Sequence, residues 1–408
     1  MKRILFVAAN ALPVNGPEAI VNAKLLKVLA DHGYIIDLIS KDGKNRYFSE
    51  SMDCFFSEKL NSIHIINVDN QVNFKTILGH LKVLLKTGYV YKGAHWAYYA
   101  IKCAEKLIKQ HKYDFILSRN PSSEIVGLYI SQKYNISWIA NWNDPYPEKR
   151  MPTPYGGGKD AKLTMFEQKL LDNVSEKVNL HTFSSSRQRD YMLQYMKGVD
   201  LKRTMVIPHI CLEGISKIQK TANNNGILKI VYSGNVAAPR NPLPFLQGVR
   251  KFIDAGNEMA KVEISFIGKQ TADFADQIRS LNLESWVKVI LPMAYLDNLN
   301  FIATQDVALI IEAPSDNSVY LPTKVGDYMQ CERDIWAVSP VVGTLNDMYR
   351  KKDIKYFSDC INSESIASEL SVIYNCFIQN NYVYDSSSKI IHEYLPETIM
   401  TQYKTILQ

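Results

Sequence analysis

The stretch Ile230-Val231-Tyr232-Ser233-Gly234-Asn235, with Arg240-Asn241-Pro242 close behind it, decides the fold class. β-Branched and aromatic residues run in a row as a strand from Lys229 to Ser233, and Gly234 ends it. Pro242, with its φ already fixed, then starts a helix. Strand, turn and helix in that order are the repeating unit of a doubly wound parallel sheet. Working outward, similar runs predict strands at Ile4–Ala8, Ile35–Ile39, Ile63–Val68, Phe115–Ser118, Trp138–Ala140, His181–Ser184 and Met205–Ile207. Further runs follow at Glu263–Ile267, Val287–Ile290, Val307–Ile311 and Ile335–Val338, with amphipathic stretches between them. The turn-forming stretch Thr221-Ala222-Asn223-Asn224-Asn225-Gly226 is the best linker. The expectation is an α/β protein with two doubly wound, Rossmann-like domains, residues 1–220 and 221–385. Asp385-Ser386-Ser387-Ser388 reads as a loop or cap, and residues 386–408 as a helix packing back on the first domain.

A chain of 408 residues is too long for a single core of ordinary size, and 46% apolar content excludes disorder. No apolar run reaches the ~18 residues of a membrane-spanning helix. The opening MKRILFVAANALPVNG resembles a signal-peptide start, but Pro13, Asn15 and Gly16 break it early, so it reads as a mature first strand. Lys plus Arg exceed Asp plus Glu by 47 − 41 = 6, too few for a nucleic-acid binder unless concentrated. Six scattered cysteines with no CxxC pair read as reduced, mostly buried thiols of a cytoplasmic protein. Eight histidines without HExxH or another close pair mark no metal site.

The chemistry concentrates in two segments. Gly234 lets a backbone approach a phosphate at the carboxyl end of its strand, and Arg240 offers a forked cation to a diphosphate. Taken alone, that segment reads better as a plain strand-turn-helix with a surface arginine. In the second segment, Val307–Ile311 leads through Glu312 to Ser318-Val319-Tyr320-Leu321-Pro322-Thr323-Lys324 and Asp327. Ser318, Val319, Tyr320 and Leu321 would present backbone amides at a helix start near Pro322. Lys324 would reach phosphate, and Asp327, one turn on, would accept from both hydroxyls of a ribose. The alternative is a surface ion pair between Lys324 and Asp327. Glu312 either faces a donor sugar or caps the next turn, and His209 reads as structural.

Between Phe74 and Lys112 stand eight lysines (Lys75, Lys82, Lys86, Lys92, Lys102, Lys106, Lys109 and Lys112) against one glutamate, Glu105. Leu78, Leu81, Leu84 and Leu85 interleave with them, with tyrosines and Trp96 following. Such a surface suits an anionic membrane, unless the apolar stripe faces the core. Tyr155-Gly156-Gly157-Gly158-Lys159 lacks phosphate-loop spacing and reads as a flexible loop that could close over a substrate. No GxGxxG occurs, against a nicotinamide or flavin enzyme.

Together these segments resemble retaining glycosyltransferases of family 4, which have the GT-B fold of two domains facing across a cleft. YSGN with RNP, and LPTKVGDYM with IWAVSP after it, resemble the family's strand–glycine–basic loop and P-(S/T)-K-x-x-E-Y. ILFVAANALPVNGPEAIVNAKLLKVLADHGYIIDLIS is similar to its opening, ISWIANWNDPYP to its Asp-Pro turn, and HTFSSSRQRDYM with VIPHI to its late N-domain elements. The resemblance implies transfer of a sugar from a UDP- or GDP-linked donor to a glycan or lipid-linked acceptor, without metal, cofactor or nucleic acid, in surface polysaccharide synthesis. Arg240 and Lys324 would be catalytic. Donor contacts would come from Gly234, Asn235, Arg240, Ser318 to Leu321, Lys324 and Asp327, and acceptor contacts from Gly16, Arg119, Asn143 and Asp144. Four departures stand out: Val319 and Asp327 replace a pair of glutamates, Asn235 an arginine, Arg240 a lysine, and Arg119-Asn120 a histidine. A sugar-nucleotide epimerase, or an inactive glycan-binding or scaffold member, are the alternatives.

Overall fold

The computed structural model describes residues 1–14, 16–41, 50–68, 74–89, 93–119, 122–212, 226–257, 259–380 and 391–407. It divides into two compact units: Met1–Met151, Gly156–Ile210 and Pro396–Gln408 form one, Pro152–Tyr155 and Cys211–Leu395 the other. The chain changes unit at Ile210, ten residues before the boundary read from the sequence. The linker residues 221–225 and the cap at residues 385–388 lie outside the described residues.

In the first unit a seven-stranded parallel sheet has the order β3-β2-β1-β4-β5-β6-β7. Its strands are β1 (Arg3–Ala8), β2 (Ile35–Ser40), β3 (Ser62–Ile65), β4 (Phe115–Arg119), β5 (Ser137–Trp142), β6 (Leu180–Phe183) and β7 (Thr204–Val206). Central strands are apolar on both faces because helices cover both sides. Gly127, on the helix Ser123–Tyr134, is required by packing: a Cβ there would stand 2.4 Å from the Trp138 indole. Trp138 in turn donates from Nε1 to Ser118 Oγ at 2.8 Å, joining β5 to β4. Asp37 is fully buried and accepts from Arg3, Asn61, Ser62 and Tyr113, so it stays ionised below the usual carboxylate range despite its burial. The C-terminal helix Pro396–Ile406 belongs to this unit and packs against the helix Pro17–Asp31.

The second unit has six parallel strands in the order β10-β9-β8-β11-β12-β13. These are β8 (Leu228–Ser233), β9 (Val262–Ile267), β10 (Val287–Ile290), β11 (Val307–Ile311), β12 (Asp334–Ser339) and β13 (Tyr356–Asp359). The sequence reading had no β13. It is a four-residue edge strand of mixed burial, too short and too polar for an apolar run. Trp336, Phe245 and Phe266 are buried at the centre of this core, with ring centroids 5.4 and 6.0 Å apart along the series Trp336–Phe245–Phe266. Tyr328 ties the two middle strands: its hydroxyl accepts from Ser233 N at 3.0 Å and donates to Leu309 O at 3.1 Å.

The six cysteines are free thiols, three buried, two half-buried and Cys54 exposed. Among the described residues no helix is long and apolar enough to cross a membrane.

Candidate functional site

The strand order of the second unit reverses between β8 and β11, so the connections after these neighbours leave in opposite directions and part at their carboxyl ends. Both segments singled out in the sequence end there. Gly234 closes β8 at φ 137°, a conformation that favours glycine, and its N–H donates to Ile267 O at 2.8 Å. A Cβ on Gly234 would stand 2.7 Å from Cε and Nζ of Lys324. The space that the glycine opens is therefore filled by Lys324, not left to a phosphate as the sequence reading had it.

Lys324 opens the helix Lys324–Gln330, and its Nζ lies 3.8 Å from the centroid of the Tyr232 ring. Burial, and then the charge of Arg240, hold its pKa below the ordinary lysine range, with Glu312 acting against them. Arg240 Nη2 stands 3.7 Å from Glu312 Oε1. Glu312 follows β11 directly and is 4% exposed. Burial raises its pKa, while Arg240 and Lys324 oppose that rise. Tyr155 meets Tyr320 edge-on at 5.0 Å, and burial, with Glu312 nearby, pushes its phenol up to about 12. Two cations, one carboxylate and three tyrosines thus converge at the reversal point.

Other residues of the second segment have local duties. Ser318 N donates to Val342 O at 2.9 Å, and Ser318 O accepts from Thr344 N at 2.8 Å. Val319 is fully buried and Leu321 nearly so. Asn235 Oδ1 accepts from Lys269 N at 3.0 Å, and its carbonyl accepts from the Tyr232 hydroxyl at 3.1 Å. Asp327 accepts from the Tyr295 hydroxyl at 2.6 Å, a partner with no signal in sequence spacing.

In the first unit the sheet reverses between β1 and β4, and a polar cluster gathers at that end. Arg119, 4% exposed at the end of β4, donates from Nε to Asn22 Oδ1 at 2.5 Å and from Nη2 to Asn143 Oδ1 at 3.0 Å. Asn22 donates to Asn10 O at 2.5 Å, and Asn10 Nδ2 to Glu18 Oε2 at 2.8 Å. Burial raises the Glu18 pKa to about 7, helped by Asp144, an exposed neighbour on the Asp-Pro turn. Gly16 precedes the helix Pro17–Asp31 in an extended conformation, and none of the described residues stands where its Cβ would be, so none of them requires glycine there. His209 is buried beside Arg119, Asn141 and Tyr403 around a small cavity.

The triple-glycine loop is not loose, which corrects the reading from sequence. Gly157 N donates to Lys149 O and Gly158 N to Met151 O, both at 2.9 Å. A Cβ on Gly156 would stand 2.6 Å from Glu148 O, so these glycines permit a tight turn. No local pattern marks Tyr155's place beside Tyr320, because the two rings meet from positions 165 residues apart in the chain.

No family model matches the chain, and no curated protein matches it in sequence. Solved structures do match along its whole length. HepE from Anabaena, in complex with UDP-glucose, superposes with a TM-score of 0.64 at 14% identity, covering 100% of this chain and 99% of that one. Sucrose-phosphate synthase from Thermosynechococcus elongatus gives 0.65 at 12% identity, covering 100% and 98%. The chain has the GT-B fold. A structure assigned as a UDP-N-acetylglucosamine 2-epimerase from Listeria monocytogenes also matches, with a TM-score of 0.56 at 11% identity and coverage of 99% and 94%. GT-B architecture thus accounts for both Rossmann-like units, and the reversal point of the second is where its cations collect.

Proposed function

We propose that this GT-B protein is a retaining, family 4-like hexosyltransferase in surface polysaccharide synthesis. It moves a sugar from a UDP- or GDP-linked donor to a glycan or lipid-linked acceptor. The observation that carries this reading is the pairing of Arg240 and Lys324 where β8 and β11 part, two cations suited to one diphosphate. HepE, of the same fold, was crystallised with UDP-glucose. The bond from the anomeric carbon to the diphosphate oxygen breaks, and the acceptor oxygen takes its place. Arg240 and Lys324 take up charge on the leaving diphosphate, which needs no metal, and a leaving phosphate oxygen receives the acceptor's proton. Asp327 serves the ribose, and Gly16, Arg119, Asn143 and Asp144 the acceptor. Within that set Arg119 acts by positioning Asn143, since it is buried and bonded to it.

An epimerase is the second reading, favoured by the Listeria structure of the same fold. Incubation with a panel of labelled UDP- and GDP-sugars separates the readings. Transfer that depends on an acceptor supports the transferase, and isomerisation without acceptor supports the epimerase. Binding without turnover marks an inactive glycan-binding member.

The acceptor reading extends to an anionic membrane at the cytoplasmic face. On the helix Phe74–Thr87, Ile77, Leu78, Leu81 and Leu85 are exposed, Leu85 by 79%. Exposed Lys82 on that helix, and Lys102, Lys106 and Lys109 on the adjacent helix Ala94–Gln110, supply positive charge beside them. Exposed apolar groups flanked by lysines fit an interfacial helix, at about 1 kcal/mol per basic residue near an anionic surface. Co-sedimentation with phosphatidylserine vesicles, and not with phosphatidylcholine vesicles, is the expected result. Leu81→Ser with Leu85→Ser should abolish it without changing turnover of a soluble acceptor. Binding that survives the double substitution would place the contact elsewhere.

A further inference from the structure

Glu312 poses a problem for a diphosphate site. A carboxylate beside the two cations opposes the ligand they are meant to hold, and like charges repel strongly where water is scarce. Its placement is nevertheless firm: it follows β11, its N–H donates to Val338 O at 2.9 Å, and its side chain is buried. Arg240 holds the carboxylate loosely, with Nη2 3.7 Å from Oε1, and one such contact leaves most of the lone pairs of the two oxygens for other donors. Val319, further along the same loop, is wholly buried, and its apolar side chain has no group to bond a hydroxyl. Asp327 is engaged by Tyr295. With Asp327 serving the ribose, Glu312 is the carboxylate that stands beside Arg240 and Lys324 with lone pairs left for a sugar's hydroxyls.

We infer that Glu312 receives hydroxyls of the donor's sugar ring and selects the sugar, while Arg240 and Lys324 hold the diphosphate. The inference rests on the donor-site reading and adds to it the group that reads the sugar. Once a diphosphate binds, it takes over the two cations and the carboxylate turns to the ring attached to that diphosphate. A charged acceptor to a hydroxyl makes a strong hydrogen bond, and a buried group built for one discriminates sharply against a sugar lacking it.

The test compares binding of the free nucleoside diphosphate with that of its sugar conjugates. UDP, GDP and their hexose conjugates are titrated into the full chain and into Glu312→Gln, an isosteric change, with Glu312→Asp as a second variant that retracts the carboxylate. Thermal unfolding is measured on each variant. Glu312→Gln is expected to bind the free diphosphate as well as the parent or more tightly, because an opposing charge is gone. It should lose roughly 10- to 100-fold in affinity for the preferred nucleotide sugar and discriminate poorly against deoxy analogues. Equal losses for diphosphate and conjugate, or no loss for either, would overturn the role of Glu312 alone. A parent that binds neither UDP nor GDP would overturn the donor-site reading and this inference with it.

Discussion

Lys324→Ala should lower kcat/KM for the nucleotide sugar by about 100- to 1,000-fold, the loss typical when a preorganised group facing transition-state charge is removed. The size follows from where the ammonium sits. It is half-buried, stacked over Tyr232 and pressed against Gly234, so its neighbours fix where its charge sits. Lys324→Arg should rescue little, because the close approach at Gly234 admits a slim amine and not a planar fork. The same burial gives a pH signature. In the free protein the lysine's pKa is lowered, and an arriving diphosphate favours its charged form, so donor binding takes up a proton. Affinity for UDP should therefore fall as pH rises, beginning below the ordinary lysine range, with calorimetry in two buffers reporting the proton taken up. In Lys324→Ala the linked uptake should vanish along with the affinity. An unchanged Kd for UDP in that variant would remove Lys324 from the site.

Much of this arrangement can be read in the amino-acid order because strands at a reversal point carry their signature locally. Ile230–Gly234 and Val307–Glu312 are apolar runs that stop at a glycine or a charge, and both stop at the reversal point of the second sheet. What could not be read depends on contacts far apart in the chain. Tyr155 reaches Tyr320 across 165 residues, and Tyr295 reaches Asp327 from another helix. Gly234 illustrates the division. The need for a small residue was legible, but the side chain that needs the room, Lys324, lies 90 positions on. β13 escaped notice for a different reason, as an edge strand half its residues face away from the core and carry no apolar pattern. The exposed stripe on Phe74–Thr87 was ambiguous in sequence, since periodicity locates a face without telling what covers it.

Glu124→Gln should stabilise the first unit in alkaline buffer and do so progressively less as the pH is lowered. Glu124 lies in the first turn of the helix Ser123–Tyr134 with its side chain wholly buried. Neither oxygen reaches a full hydrogen bond; the Tyr146 hydroxyl and the amides of Ser122 and Glu124 offset only part of the burial. Its pKa is raised from 4.5 to about 7. The folded chain therefore keeps this proton until about pH 7, whereas the unfolded chain releases it near pH 4.5. Between those limits the unfolded state binds fewer protons, so stability falls as pH rises. The full difference is about 3 kcal/mol, of which about 2–3 kcal/mol develops between pH 5 and pH 8. Glu18, raised to about 7 as well, acts in the same direction. His181 acts in the opposite direction: burial lowers its pKa to about 3, and its contribution is lost as pH falls below 6.5. The parent's own pH profile is thus a composite, and the measurement that isolates Glu124 is the difference in Tm between the parent and Glu124→Gln. That difference should grow by roughly 5–10 °C between pH 5 and pH 8 if the unit melts as one cooperative block. Parallel curves over this range would mean that Glu124 ionises in the folded protein as readily as in the unfolded one, and that a water or a backbone rearrangement solvates it. A smaller gap in Glu124→Gln than in Glu18→Gln would instead assign most of the alkaline loss to the polar cluster beside Arg119.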